Sequence, residues 1–104
     1  PERESLNRIR LRAGLVERSA LRYTPAGIPV TEVKLGHRGT SVEAGIERQL
    51  DFEFPAVAVG PVAETLAAVA LGTELEIDGF LAPASKRSQR LRIHITDYQE
   101  ISGV

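Results

Sequence analysis

The chain has 104 residues and no cysteine, which excludes disulfides and thiolate metal sites and fits the usage expected of a cytoplasmic protein. Tryptophan is absent too, and aromatics make up only 5%, so a core must be built from Val, Leu, Ile and Ala. No apolar run approaches the ~20 residues that a membrane-crossing helix needs. No charged-then-apolar leader with a small-residue cleavage site opens the chain. Signatures of catalysis are missing as well: there is no Gly-x-Ser-x-Gly elbow, phosphate loop or dinucleotide fingerprint. The two histidines, His37 and His94, fall on different predicted strands and outside any metal-ligand spacing. The expectation is a protein that is not an enzyme, holds no metal or cofactor, and has no membrane partner.

Charge of one sign is also lacking overall, since the net value is only −1, yet the charges are sorted along the chain. Residues 3 to 38 carry eight basic side chains (Arg3, Arg8, Arg10, Arg12, Arg18, Arg22, Lys34 and Arg38) against three acidic ones. Residues 43 to 78 reverse this, with Glu43, Glu47, Asp51, Glu53, Glu64, Glu74, Glu76 and Asp78 opposed by Arg48 alone. Lys86, Arg87, Arg90 and Arg92 then restore positive charge. Such sorting lets one small body present a basic surface and an acidic one.

What is present in quantity is period-two alternation. In a first strand from about Leu6 to Val16, Ile9, Leu11, Ala13 and Leu15 share one face and Arg8, Arg10 and Arg12 the other. Thr24-Pro25-Ala26-Gly27 fits a tight turn between antiparallel strands, because Pro25 presets φ and Gly27 tolerates a positive one. A second strand spans about Val30 to Arg38, and Gly39 to Gly45 reads as a loop of small and polar residues. In the third strand Leu50, Phe52 and Phe54 alternate with Gln49, Asp51 and Glu53, and Phe52 and Phe54 are expected in the core. Alternation changes parity after Pro55, which predicts a β-bulge or bend there. Pro61 suits the first turn of a helix through about Ala70, stopped by Leu71-Gly72. A fourth strand covers Glu74 to Ala82, where Glu74, Glu76 and Asp78 share a face that reads as a solvated edge. A fifth runs from Arg90 to about Ile101.

Three strands, one short helix and two strands in a chain this short predict an all-β OB-fold, a five-stranded Greek-key barrel. It would occupy residues 1–104 as a single domain, with 1–5 a loosely ordered extension and the helix plugging one end. The binding groove of that fold crosses the second and third strands and is flanked by the loops after the first and fourth. Those places hold Arg18, Arg22, Lys34, Arg38, Arg48, Lys86, Arg87 and Arg90, the candidate contacts to single-stranded DNA. The plain alternative is that these cations only solvate the surface. Stacking residues are scarce, so binding should depend on phosphate contacts and be weak and salt-sensitive.

Thr24 to Pro29, the Leu35-x-His37-Arg38 strand end, Glu43-Ala44-Gly45-x-x-Arg48-Gln49 and Gly79-Phe80 together resemble one family closely, the bacterial primosomal replication protein N, or PriB. It belongs to the single-stranded DNA-binding protein superfamily. The resemblance runs from Asn7 through Ile101 and implies a homodimer acting in replication restart with the PriA helicase and single-stranded DNA and, in enterobacterial systems, with DnaT. By position it implies DNA contacts at Arg22, Arg38, Lys86, Arg87 and Arg90. Asp51 stands where the best-known members carry a stacking Trp, and Ile46 replaces a loop aromatic. These departures imply a larger share of protein contact, and they keep open a second reading, a protein-only adaptor that stimulates the helicase with little DNA affinity.

Overall fold

The computed structural model describes residues 6–101, so the extension expected over 1–5 lies outside the described residues. The elements are β1 (Ile9–Arg18), β2 (Arg22–Tyr23), β3 (Pro29–Glu43), β4 (Ile46–Val59), α1 (Pro61–Leu66), β5 (Glu74–Pro83) and β6 (Leu91–Glu100). Five long strands pair in the order β1-β5-β6-β4-β3, and a β1–β3 pairing closes the circle. Only β4 and β6 run parallel. This is the expected OB-fold barrel.

Its core follows from the alternation. Ala13 and Leu15 of β1, Val33 and Leu35 of β3, Ala56 and Ala58 of β4, Leu75 and Ile77 of β5, and Ile93 and Ile95 of β6 all point inward and are buried. Ala63, Leu66 and Val69 join them from α1 and the turn beyond it. Outside the barrel, the arginines of β1 face the acids of β5. Arg10 lies 2.9 Å from Glu76 and 3.3 Å from Asp78, with Arg8 3.7 Å from Asp78 and Arg12 4.0 Å from Glu76. The edge expected to be merely solvated is therefore a cross-strand ion-pair ladder, because the register sets Arg10 opposite Asp78 and Arg12 opposite Glu76.

Three expectations are corrected. Gly39 to Gly45 is not a loop: β3 and β4 pair without interruption from Val30↔Val59 to Glu43↔Ile46. Only Ala44 and Gly45 make the turn, at φ 54° and 75°, the double positive φ of a tight hairpin. Nor does Pro55 mark a bulge, since it pairs in register with Lys34. It sits one residue outside the β4–β6 ladder, which begins at Ala56, and there its missing N–H is tolerated. The parity change has another cause: Val57 faces outward yet is 1% exposed, flanked in register by Glu32 and His94. Finally, α1 ends at Leu66 rather than near Ala70. Beyond it the chain tightens into i→i+3 bonds, Ala68 N–H to Thr65 O and Val69 N–H to Leu66 O. Gly72, at φ 89°, then donates to the carbonyl of Leu15.

The register slips between Leu15 and Glu17 where β1 pairs with β3, and between Asp78 and Gly79 where β5 pairs with β6. A Cβ at Gly79 would lie 2.1 Å from the carbonyl oxygen of His94, so only glycine fits this bulge. The second slip sets Phe80 beside His94 on the outer face.

Candidate nucleic-acid interface

The turn after β2 forms as its residues dictate. Gly27, at φ 83°, donates to Thr24 O at 2.8 Å, and Thr24 Oγ1 accepts from Ile28 N–H at 3.2 Å. The connection from β1 is pinned to β3 by buried Thr31, which donates its hydroxyl to Ser19 O at 3.0 Å. Ser19 returns the bond, its Oγ accepting from Glu32 N–H at 3.0 Å. Arg22 is thereby held in register opposite Val30, on the outward face of β3.

Lys34 and Arg38 share that face with Arg22, since all three align with even-numbered positions of β3. Each has a carboxylate beside it. Arg22 is 3.0 Å from Glu32, Lys34 is 3.5 Å from Glu17 and 3.9 Å from Glu53, and Arg38 is 3.3 Å from Asp51. These pairs are open to water and worth about 0–1 kcal/mol each, so a phosphate could exchange for a carboxylate at little cost. Lys86, Arg87 and Arg90 differ. They project from the β5–β6 loop, which is tied by Ala84 N–H to Arg90 O and by Arg90 N–H to Ser88 Oγ. All three are exposed, and among the described residues no carboxylate lies within ion-pair distance of them.

Two candidates are placed elsewhere. Arg18 is half-buried and donates to the carbonyls of Leu66 and Val69, closing the end of α1. Its geometry is that of a helix cap, not of a free cation. Arg48 pairs with Glu43 at 2.8 Å and lies opposite Ser41, on the face of the hairpin away from Arg38. The β3–β4 register sets even-numbered positions of β4 opposite odd-numbered positions of β3, so Arg48 and Arg38 fall on opposite faces.

The aromatics also differ from expectation. Phe54 packs against the core, but Phe52 is 40% exposed and lies 5.2 Å from the His37 ring. His37 donates through Nδ1 to the Arg12 carbonyl at 2.7 Å, tying β3 to β1. Tyr23 turns its hydroxyl toward Glu64 of α1, 3.5 Å away. Arg92 and the Phe80–His94 pair are absent from the expected contacts. The two rings stack at 4.9 Å with planes 12° apart. Partial burial, and then the Arg92 guanidinium, hold the His94 imidazole below its ordinary pKa. Phe80 shares the outward parity of Glu76 and Asp78, but its pairing with His94 depends on the register shift at Gly79. Among the described residues no cluster of three or more His, Asp or Glu could hold a metal ion, and no helix is long and apolar enough to cross a membrane.

Comparison with known proteins gives a consistent picture. Residues 7–97 match the model of a family described as another single-strand binding protein family. The replication restart protein PriB of Bordetella pertussis is 42% identical over 98 residues, covering 94% of this chain and 92% of that protein. Its counterpart from Nitrosomonas europaea is 36% identical, covering 88% and 84%. The solved PriB of Ralstonia solanacearum superposes with a TM-score of 0.84 at 38% identity, over 92% of this chain and 98% of that one. The single-stranded DNA binding protein of Thermus aquaticus shares the fold alone, with a TM-score of 0.74 at 22% identity, over 94% of this chain and 51% of that one.

Proposed function

Because the chain belongs to the single-strand binding protein family and, within it, to the PriB replication restart proteins, we propose that it is a non-catalytic accessory protein of the primosome. It binds single-stranded DNA exposed at an abandoned fork and acts there with the PriA helicase. It works in the cytoplasm as a homodimer and, where the system includes DnaT, hands the complex on to it. The observation that carries the DNA-binding part is the β5–β6 loop, whose Lys86, Arg87 and Arg90 are exposed and have no carboxylate partner among the described residues. Arg22, Lys34 and Arg38 extend the contact along β3 by exchanging carboxylate for phosphate. Each phosphate neutralised contributes about 0.7 to the salt slope of the affinity.

Titrating labelled oligothymidylate at several salt concentrations tests this. A Lys86→Ala/Arg87→Ala variant should bind more weakly than the parent at low salt, with a slope shallower by about 1.4, two phosphates' worth. Unchanged affinity and slope would reject the assignment.

A second reading, a protein-only adaptor, is favoured by one observation: Asp51 sits 3.3 Å from Arg38 and offsets its charge. It would be preferred if the purified protein left oligonucleotides unbound at low salt and still stimulated helicase unwinding.

A further inference from the structure

Four side chains lie abreast on the outer wall of the barrel. Glu32 of β3 pairs with Val57 of β4, Val57 with His94 of β6, and His94 with Phe80 of β5. The neighbouring rung on the same face carries cations, with Lys34 opposite Pro55 and Arg92 opposite Ala82. Carrying the β4–β6 register one residue past Ala56↔Ile93 sets Pro55 level with Arg92, so Lys34 and Arg92 belong to one line across the sheet. Arg92 and His94 are two residues apart on one strand, roughly 7 Å at ~3.3 Å per residue. The loop bearing Lys86, Arg87 and Arg90 opens directly from this line.

The aromatic end of this surface is open. Phe80 is 36% exposed and stacked nearly parallel on His94. It borders a groove of about 650 Å³ that Val59, Val62 and Thr96 also line. On its far flank, Asp78 is engaged by Arg8 and Arg10, and Asp97 accepts from Tyr98 N–H at 2.9 Å. Arg8 also borders Phe80 on that flank but is held by Asp78, so among the described residues Arg92 is the cation beside the stacked rings that has no carboxylate partner. We propose that the Phe80–His94 stack is a base-stacking platform, on which one nucleobase of a bound single strand lies while its phosphates follow Arg92 and Lys34 toward the β5–β6 loop. A flat apolar ring beside a line of cations is the combination that single-strand binding uses, and it tolerates any base because each has a π-face.

The proposal rests on the DNA-binding reading above, and the experiment separates the two. The chain has no Trp, so Phe80→Trp installs a single fluorescent reporter at the site. Unlabelled oligothymidylate should quench that tryptophan over the same concentration range in which labelled oligothymidylate gains anisotropy. Phe80→Tyr should keep the parent's affinity, whereas Phe80→Leu should lose about 5- to 150-fold, the worth of one stacked base. An abasic deoxyribose-phosphate strand of equal length should not distinguish Leu from the parent. The salt slope should stay constant across the Phe80 variants and fall by about 0.7 in Arg92→Ala. Anisotropy rising with no change in tryptophan emission, or Leu and Tyr variants binding alike, would overturn the platform and leave the DNA-binding reading intact. It would also leave the groove to an apolar protein segment. Parent protein that leaves oligothymidylate unbound at low salt would overturn both.

Discussion

Arg18 and Asp51 show why a charged residue's role depends on what its side chain reaches. Arg18 donates to the carbonyls of Leu66 and Val69 where α1 ends, and the second of these has no other donor among the described residues. Arg18→Ala should therefore lower stability by about 1.5–3 kcal/mol in thermal or urea unfolding, the usual cost of a hydrogen bond lost from a charged donor. Its salt slope for oligonucleotide binding should match the parent's. A slope shallower by a full phosphate would return Arg18 to the interface. Asp51 is the converse case. It holds Arg38 at 3.3 Å on an exposed surface, so its removal costs little stability. Asp51→Ala should tighten oligothymidylate binding several-fold at low salt by freeing the guanidinium and removing a repelled carboxylate. Weaker or unchanged binding, measured by anisotropy, would show that Arg38 does not meet phosphate.

At the scale of elements, the β3–β4 hairpin stands out. Its turn places Ala44 at φ 54°, a left-handed conformation that costs an alanine about 1–2 kcal/mol and that asparagine tolerates better. Ala44→Asn should raise the unfolding midpoint by a few degrees, as Asn-Gly suits a two-residue turn with both φ positive. A lowered midpoint would contradict the turn geometry. This hairpin also shows where sequence reading stops. The barrel strands were legible because one face of each is buried, as with Ala13 and Leu15 against Arg10 and Arg12. Beyond Gly39 the arm meets water on both faces, with Val42 and Ile46 72% and 66% exposed, so no alternation marks it as strand. The early end of α1 was hidden for another reason: Arg18, which closes it, lies 48 to 51 residues away in sequence. Val57 misled because an outward residue can be buried in the middle of a sheet.

Over the whole molecule, the charge sorting seen along the sequence becomes a difference between surfaces. On β1 and β5 the arginines and acids cancel in a ladder. On β3 each cation has an acid beside it that can be displaced, and on the β5–β6 loop the cations stand without one among the described residues. A net charge of −1 is thus compatible with a local site for a polyanion, whose hold must weaken steeply with salt. Which outward positions would meet that polyanion was only partly readable. The even-numbered cations of β3 follow from simple alternation, whereas Arg92 joins them through a parallel pairing of β4 with β6 that no local pattern announces. The most direct test is an amide chemical-shift titration of the isotope-labelled protein with oligothymidylate at low salt. Shifts should concentrate at residues 84–94 and at Lys34 and Arg38, leaving Arg10, Arg12 and Glu76 of the ladder unmoved. Shifts centred on that ladder, with the β5–β6 loop silent, would contradict the placement of the nucleic-acid site.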